Sequence, residues 1–315
     1  MKIIIHLLFI IIAINCFGQN SNENIQIRKV EPPFWWTGMK NPELQLLVYG
    51  PGIGLTAPAI DHNGIVLLES LAEDNKNYLF IRLKVLPECP PGLVEITFSK
   101  DGDELFSHTY ELKARKPGSA ERQGFDRTDA LYLIMPDRFS NGNPSNDQAK
   151  DMSEGVDRAN PDGRHGGDIQ GITNHLDYIR ETGFTGLWIN PLVENNNPEF
   201  SYHGYAITDF YKIDPRYGTN KDYINLVNTC HKKGLKVVMD MIFNHASVHH
   251  WLIKDLPASD LIHQFDTYTP SNFRSTTVPD PFASEYDKRK MLTGWFDKHM
   301  ADLDQRNPYL TKYLI

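Results

Sequence analysis

Three polar or aromatic side chains follow apolar runs of the sequence at positions from which they can reach a common ligand. His203 and Tyr205 lie in the segment YHGYAITDFY, soon after the run GLWINP, and His245 closes the run LKVVMDMIFNH. The flat ring of Tyr205 can serve as a platform for a sugar face, and both imidazoles can donate to hydroxyl groups. Such contacts can hold and orient a sugar ring. A lone histidine at a strand end is also commonly structural, and this alternative stays open.

An oxygen-rich loop, DRFSNGNPSND at residues 137–147, can do different chemistry. Calcium prefers six to eight oxygen ligands, and short loops of this kind supply them. The spacing is not that of an EF-hand. The alternative is that the loop only caps itself through side-chain hydrogen bonds. The candidate ligands are Asn141, Asn143, Asn146 and Asp147, completed by Asp168 and by backbone oxygens near Gly166.

The elements ahead of these segments are short and rich in β-forming residues. Turn signals such as DHNG, PECPPG and SKDGDE separate them. Regular short strands with this punctuation predict an all-β, immunoglobulin-like sandwich over residues 19–116. A polar linker at 113–124 marks the domain boundary. The predicted strands are 25–30, 44–49, 65–68, 78–85, 93–98 and 105–112.

The pattern changes after the linker, where apolar strands alternate with helical periodicity. Strands are predicted at 131–135, 186–191 and 235–243, with helices around Ile169–Ile179 and Tyr223–Cys230. Alternation of this kind predicts parallel β/α units. Residues 117–315 are therefore expected to form the first three strands of a (β/α)8 TIM barrel, with a loop insertion at about 247–302. Such a barrel usually takes about 250 residues, so we expect an incomplete one.

Composition excludes several classes of protein. The 315 residues carry a net charge of −8, which argues against binding to a nucleic acid backbone. Hydrophobic residues at 40% and charged residues at 23% are typical of a globular chain. Three cysteines are too few for a disulfide scaffold. One bridge, Cys89–Cys230, is possible, but we do not favour it because Cys230 lies on the apolar face of a predicted helix.

Residues 1–18, MKIIIHLLFIIIAINCFG, form a short apolar run behind Lys2. This pattern predicts a secretory signal, and the run is short for a membrane span. The mature protein is then expected outside the cytoplasm, in the periplasm, with no membrane span after signal removal. Lipidation at Cys16 and an uncleaved N-terminal anchor are the alternatives.

Four segments resemble, in order, motifs of the α-amylase superfamily of glycoside hydrolases. They are HGGDIQGITNHLDYI, YHGYAITDFYKIDPRYGT, MDMIFNH and MADLDQRNP, and they run from about residue 130 to 308. The sandwich ahead of them resembles the N-terminal domain of neopullulanases and cyclomaltodextrinases. One such motif would be a weak signal, whereas four in order are specific.

The resemblance implies roles for individual residues. His203, Tyr205 and His245 would line the sugar subsite where cleavage happens, and Asp240 would orient that subsite. Asn244 matches a position that ligates calcium or braces the loop in relatives. The loop at 137–147 matches a calcium site of neopullulanase-like relatives, which often carry Asp at the position of Asn143.

The family mechanism uses a nucleophilic Asp in a G-F-R-x-D pattern and an acid Glu on a later strand. Neither is identified within the 315 residues, so we name no catalytic residue and expect this stretch alone to lack glycosidase activity. The resemblance implies retaining hydrolysis of α-1,4-glucosidic bonds in maltodextrins, cyclodextrins or pullulan, with this sequence as the front part of the enzyme. The alternatives are a non-catalytic carbohydrate-binding protein and an inert fragment.

Overall fold

The computed structural model describes residues 25–315, so the predicted signal at 1–18, including Cys16, lies outside the described residues. The strands are β1 (Lys29–Glu31), β2 (Phe34–Trp36), β3 (Glu43–Tyr49), β4 (Ala57–Ala59), β5 (Ile65–Ala72), β6 (Tyr78–Val85), β7 (Gly92–Lys100), β8 (Asp103–Lys113), β9 (Leu131–Ile134), β10 (Gly186–Ile189), β11 (Val193–Glu194), β12 (Asp209–Ile213), β13 (Lys236–Met239), β14 (His245–Ser247) and β15 (Met300–Asp302). The helices are α1 (Pro136–Phe139), α2 (Ile169–Asn174), α3 (Leu176–Glu181), α4 (Asn220–Lys232), α5 (Trp251–Lys254), α6 (Glu285–Thr293) and α7 (Pro308–Leu314).

The first eight strands form two four-stranded sheets, in the orders β1-β3-β6-β5 and β2-β8-β7-β4. Along β7 the side chains of Val94, Ile96 and Phe98 are buried, while Glu95 between them is exposed. This alternation places one face of each sheet in a shared core, as expected for a sandwich. Sequence patterning missed β2 and β4, which are only three residues long.

Strands β3 and β6 are buried on both faces. Leu46 and Ile81 belong to the sandwich core, whereas Leu47 and Phe80 pack into a second cluster with residues from beyond the linker, such as Leu310 of α7. This explains why β3 is nearly continuously apolar instead of alternating. The sandwich therefore shares a hydrophobic interface with the rest of the chain.

The second part contains a parallel three-stranded sheet in the order β13-β10-β9. Helices α2 and α3 connect β9 to β10, and α4 leads into β13. A capping box between Thr219 and Asp222 starts α4. The predicted first helix is interrupted at His175, although its apolar positions are all buried. Cys89 and Cys230 are free and lie in different clusters, so no bridge joins them.

The third predicted parallel strand, 235–243, is longer than the strand found. Only Lys236–Met239 pair with β10, and all four side chains are half-buried. The strand ends there because its neighbour β10 ends at the same level, with Ile189 paired to Met239. The chain leaves the sheet at Asp240.

Strands β14 and β15 pair as antiparallel neighbours, with His245 opposite Asp302. They bring together the two ends of the long segment between them, at the position where a loop insertion was predicted. None of the helices found in residues 25–315 is long and apolar enough to cross a membrane.

Candidate functional site

Tyr205 and Asp240 meet beyond the carboxyl ends of the parallel strands. The Tyr205 hydroxyl donates to Oδ2 of Asp240 at 3.1 Å, and the indole N–H of Trp188 points to the same oxygen at 3.3 Å. Burial, with the nearby charge of Asp240, raises the pKa of Tyr205 to about 12. The phenol therefore stays protonated and donates to the carboxylate at all ordinary pH values. Asp240 fixes the orientation of two aromatic rings at this edge.

His203 is positioned by its own turn. Its Nδ1 accepts from the backbone N–H of Tyr205 at 2.9 Å, and its ring lies 5.8 Å from the Tyr205 ring. Burial, together with the nearby imidazoles of His299 and His245, lowers the pKa of His203 to about 4. The ring is therefore neutral near pH 7. Because Nδ1 is an acceptor, the proton sits on Nε2, where it can be donated to a ligand hydroxyl.

His245 contacts the backbone of Tyr205. Its Nε2 faces the Tyr205 carbonyl oxygen at 3.2 Å, so this nitrogen carries the proton. Nδ1 lies 3.3 Å from the Asn244 amide nitrogen. The Phe296 ring stacks on the imidazole at 4.7 Å. Burial lowers the pKa of His245 to about 4. In this geometry His245 holds the backbone of Tyr205 and presents an imidazole that is already hydrogen-bonded at both nitrogens.

The end of the long insertion is tied to this site by a polar cluster. Asp302 accepts from His263 at 2.7 Å and from the Asn244 amide at 3.4 Å. Burial raises the pKa of Asp302 to about 6, although the His263 contact lowers it. Asn244 thus braces the loop through β15, which is one of the two roles that the resemblance offered for it. Local patterning could not reveal His263, because this contact spans 39 residues.

Three of the six predicted ligand residues, Asn141, Asp147 and Gly166, lie together at the oxygen-rich loop. The Asn141 amide donates to Asp147 Oδ1 at 2.6 Å. Gly166 lies against the same pair in the left-handed region, with φ of 87°, and a Cβ there would be 2.5 Å from Asp147 Oδ1. The Oδ1 atoms of Asn141 and Asn146 are buried without a hydrogen-bond partner among the described residues.

Two other predicted ligands are engaged in capping. The Asn143 side chain accepts from the backbone and hydroxyl of Ser145, at 3.3 Å and 2.6 Å. Asp168, fully buried, caps α2 by accepting from Gly171 N at 2.6 Å, and it also accepts from the backbone N–H groups of Gly142 and Asn143. The Asn143 side chain therefore caps its own turn in this structure, while Asp168 joins the backbone of Gly142 and Asn143 to the start of α2.

Carboxylate clusters of the usual metal-binding kind do not occur here. Among residues 25–315 no group of three or more His, Cys, Asp or Glu side chains is arranged to hold a metal ion. A cation at the 137–147 loop would therefore depend on amide and backbone oxygens, with Asp147 as the main charge. That ligand chemistry fits calcium better than a transition metal.

Trp188 and Phe296 are the site residues that sequence reasoning missed. Trp188 lies inside the apolar run GLWINP. Because this run does not alternate between apolar and polar residues, the sequence does not predict which face of the strand Trp188 occupies. Its side chain is 43% exposed, a large value for a tryptophan on a central strand, and it faces the Asp240 edge. Together with Tyr205 and His203 it forms an aromatic surface with polar donors at its rim, which suits a sugar ring.

A β-sandwich is followed here by parallel β/α units whose polar residues gather at the carboxyl ends of the strands, which defines a protein of the α/β class with an added all-β domain. The family model of the alpha-amylase catalytic domain matches residues 133–315, and that of the cyclomaltodextrinase N-terminal domain matches residues 29–116. Since the first match covers more than half of the chain, the chain belongs to the alpha-amylase family and carries a cyclomaltodextrinase-type N-terminal domain.

Similar proteins extend well beyond the length of this chain. The beta/alpha-amylase of Paenibacillus polymyxa is 46% identical over 118 residues, 37% of this chain and 9% of that protein. The cyclomaltodextrinase of Geobacillus thermopakistaniensis is 32% identical over 185 residues, 58% of this chain and 29% of that protein. An Anoxybacillus alpha-amylase structure matches at TM-score 0.49 and 37% identity, over 59% of this chain and 36% of that chain. The chain spans less than a third of these two curated relatives.

Proposed function

We propose that these residues are the front part of an exported α-glucan hydrolase of the neopullulanase, cyclomaltodextrinase or α-amylase type. The parallel strands would be the first three of a TIM barrel, and the substrate would be a maltodextrin, cyclodextrin or pullulan with α-1,4-glucosidic bonds. The observation that carries the proposal is the Tyr205–Asp240–Trp188 contact beside His203, at the strand ends of an alpha-amylase catalytic domain.

The residues present account for binding and orientation of a sugar. The Tyr205 ring offers the platform, held by Asp240, and the neutral His203 offers a proton donor at Nε2. His245 fixes the Tyr205 backbone, so it acts through Tyr205. The nucleophile and the general acid of a retaining mechanism are not assigned to any residue here. A non-catalytic glucan-binding role uses the same surface, and turnover of the longer protein would distinguish the two.

Replacement of Tyr205 by alanine is expected to weaken binding of maltoheptaose to the 315-residue chain about tenfold, because stacking on an aromatic ring contributes roughly 1 kcal/mol or more. Tyr205→Phe keeps the ring, so it should retain most of the affinity while losing the hydroxyl bond to Asp240. Binding can be followed by NMR titration, and we expect millimolar affinity for the unmodified chain.

The control for this experiment is Tyr178→Ala, which removes a tyrosine that is 55% exposed on α3, outside the site. It should bind like the unmodified chain. Equal affinity in Tyr205→Ala and Tyr178→Ala would contradict the proposed sugar site, and so would a complete lack of glucan binding by the unmodified chain.

We propose further that the 137–147 loop binds calcium. Support comes from the two buried Asn oxygens that have no hydrogen-bond partner among the described residues, from the carboxylate of Asp147 beside Asn141 and from the close approach of Gly166. The Arg158 guanidinium, 3.0 Å from Asp147 Oδ2, supplies a positive charge at this place. Its side chain is 55% exposed and can move aside. Calcium bound there would join the loop to the Gly166 backbone.

Added calcium is expected to raise the melting temperature of the chain, because a ligand bound only by the folded state stabilises it by about 2.7 kcal/mol at a hundredfold excess over Kd. Calorimetric titration should give heats with the unmodified chain and none with Asp147→Ala. Asp103→Ala, an exposed carboxylate in the β8 hairpin, changes the net charge equally and should leave the heats intact. Equal heats in all three proteins, or none in any, would contradict the site.

A further inference from the structure

The short turn that presents His203 is held by side chains from outside the sugar site. It is a single turn of 3₁₀ helix, Ser201–His203. The residues on either side of it, Phe200 and Gly204, both lie in the left-handed region, with φ of 59° and 84°. A 3₁₀ piece of this length has poor hydrogen-bond geometry and is weakly stable by itself. Its orientation therefore depends on the groups that surround it.

Three consecutive peptide groups of this turn are each bonded to a side chain from a different part of the chain. The Glu154 carboxylate accepts from the Ser201 N–H at 2.8 Å. The Arg164 guanidinium donates to the Ser201 carbonyl oxygen at 3.2 Å. The Tyr217 hydroxyl donates to the Tyr202 carbonyl oxygen at 3.0 Å. The turn is thus fixed by partners that are 47, 37 and 15 residues away in the sequence.

The Tyr217 bond is the one that bears most directly on His203. The Tyr202 carbonyl and the His203 N–H belong to the same planar peptide group. A hydrogen bond to that carbonyl therefore fixes the plane from which the His203 side chain starts. The imidazole then accepts at Nδ1 from the Tyr205 N–H at 2.9 Å, which leaves the proton on Nε2. The direction of this proton follows from the orientation of the turn.

Tyr217 and Arg164 are too deeply buried to touch a ligand. The two residues are 1% and 0% exposed, and the guanidinium carbon of Arg164 lies 4.7 Å from the centre of the Tyr217 ring. Burial raises the pKa of Tyr217 to about 12, so the phenol keeps its proton and donates at ordinary pH values. Any effect of Tyr217 on a bound sugar must therefore pass through the turn.

We propose that Tyr217 is a positioning residue of the sugar site, whose hydroxyl holds the Tyr202 carbonyl and thereby aims the Nε2 proton of His203 at a ligand hydroxyl. The inference rests on the proposed function, because it assigns a sugar as the acceptor of that proton. It extends the site to a buried residue that no sugar contacts.

The first test is Tyr217→Phe, which removes the hydroxyl and keeps the buried ring. NMR titration of the 315-residue chain with maltoheptaose should show an affinity about fivefold weaker than that of the unmodified chain. The ring nitrogen shifts of His203 should change from a single tautomer, protonated at Nε2, to a mixture of both. Tyr110→Phe is the matched control, since Tyr110 is 2% exposed and its hydroxyl has no hydrogen-bond partner among the described residues. It should change neither quantity.

A double-mutant cycle tests whether Tyr217 acts through His203. His203→Ala alone should weaken the binding of maltoheptaose, because it removes the donor. Addition of Tyr217→Phe to this variant should cause no further loss. A further loss of about fivefold in the His203→Ala background would refute the inference, since Tyr217 would then act on the sugar by another route.

The outcomes separate this inference from the proposed function. If Tyr217→Phe binds maltoheptaose as tightly as the unmodified chain, the inference is wrong, while the Tyr205 site still stands on its own variants. If Tyr217→Phe binds more weakly but His203 keeps its single tautomer, the loss is not transmitted by the imidazole and the inference is also wrong. If the unmodified chain binds no glucan, the proposed function fails and this inference fails with it. Melting curves of each variant confirm that it is folded.

Discussion

Replacing Arg216 by alanine should destabilise the chain by about 3–5 kcal/mol, because it leaves a buried carboxylate without its partner. Arg216 and Asp214 have side-chain exposures of 1% and 0%. Two side-chain hydrogen bonds join them, from Nε to Oδ1 at 2.9 Å and from Nη2 to Oδ2 at 2.7 Å, and the Arg216 backbone N–H donates to Oδ1 as well. Burial alone would raise the pKa of Asp214, but the bonds and charge of Arg216 outweigh it and hold this pKa below its usual value.

The same guanidinium also joins two of the loops that frame the site. Its Nη1 donates to the Glu154 carbonyl oxygen at 2.7 Å and its Nη2 to the Asn195 carbonyl oxygen at 2.8 Å. Alanine would leave these buried carbonyls without their donor, which adds to the cost. Urea denaturation of the two proteins measures the difference in the free energy of unfolding.

The chain contains a matched control for this prediction. Arg306 and Asp304 repeat the same local geometry, with Nε to Oδ1 at 2.8 Å and Nη2 to Oδ2 at 2.6 Å, but the Arg306 side chain is 78% exposed. Solvent already screens that pair, so Arg306→Ala should change the stability little. Equal losses in both variants would show that burial does not set the cost of breaking this contact.

Much of the fold follows from local patterns in the sequence. Strands β3 and β6 were predicted within one residue, since each is an apolar run bounded by turn residues. The parallel strands were predicted from their alternation with helical periodicity. Local hydrophobic patterns do not predict strand pairing between residues that are far apart in the sequence. The third parallel strand ends at Met239 because its neighbour β10 ends at the paired residue Ile189, and the apolar residues beyond Met239 give no hint of this.

The site shows the same division. His203, Tyr205 and Asp240 could be grouped because carboxyl ends of neighbouring parallel strands meet. The role of His245 could not be read, since it depends on a hydrogen bond to the Tyr205 carbonyl that only the fold creates. Trp188 was hidden within an apolar run, and no periodicity marks the insertion that supplies Phe296 and His263.

A buried cluster of charged side chains lies where the β-sandwich meets the β/α units. It is expected to make the stability of the chain depend strongly on pH. Lys29 Nζ lies 2.5 Å from Asp209 Oδ2 and 3.5 Å from Glu31 Oε1, so one ammonium serves two carboxylates. The Tyr313 hydroxyl donates to Glu31 Oε2 at 2.7 Å. Burial and the charge of Asp209 raise the pKa of Glu31 to about 7, although Tyr313 and Lys29 lower it. The buried imidazole of His250 lies nearby, and burial lowers its pKa to about 3, so it is neutral.

This raised pKa makes the folded state less stable as the pH increases. The unfolded chain loses the Glu31 proton near the usual value of 4.5, and the folded chain loses it near 7. Between these values the folded state binds more protons, so its stability falls with rising pH, by at most about 1.4 kcal/mol per unit. The stabilisation of the folded state by protonated Glu31 is fully present below pH 4.5 and is lost as the pH rises through about 7. The free energy of unfolding falls by about 3 kcal/mol in total over this range.

Glu31→Gln removes this titration and keeps an oxygen that accepts from Tyr313, so it should gain about 2–3 kcal/mol relative to the unmodified chain between pH 5 and pH 8. Urea denaturation at several pH values gives the difference between the two proteins. Groups that titrate in both, such as Asp302 and the histidines, cancel in that difference. Glu43→Gln, which removes an exposed carboxylate from β3, should show no such rise. Parallel stability curves for Glu31→Gln and the unmodified chain would mean that Glu31 is already ionised at pH 5, and that Lys29 alone balances both carboxylates.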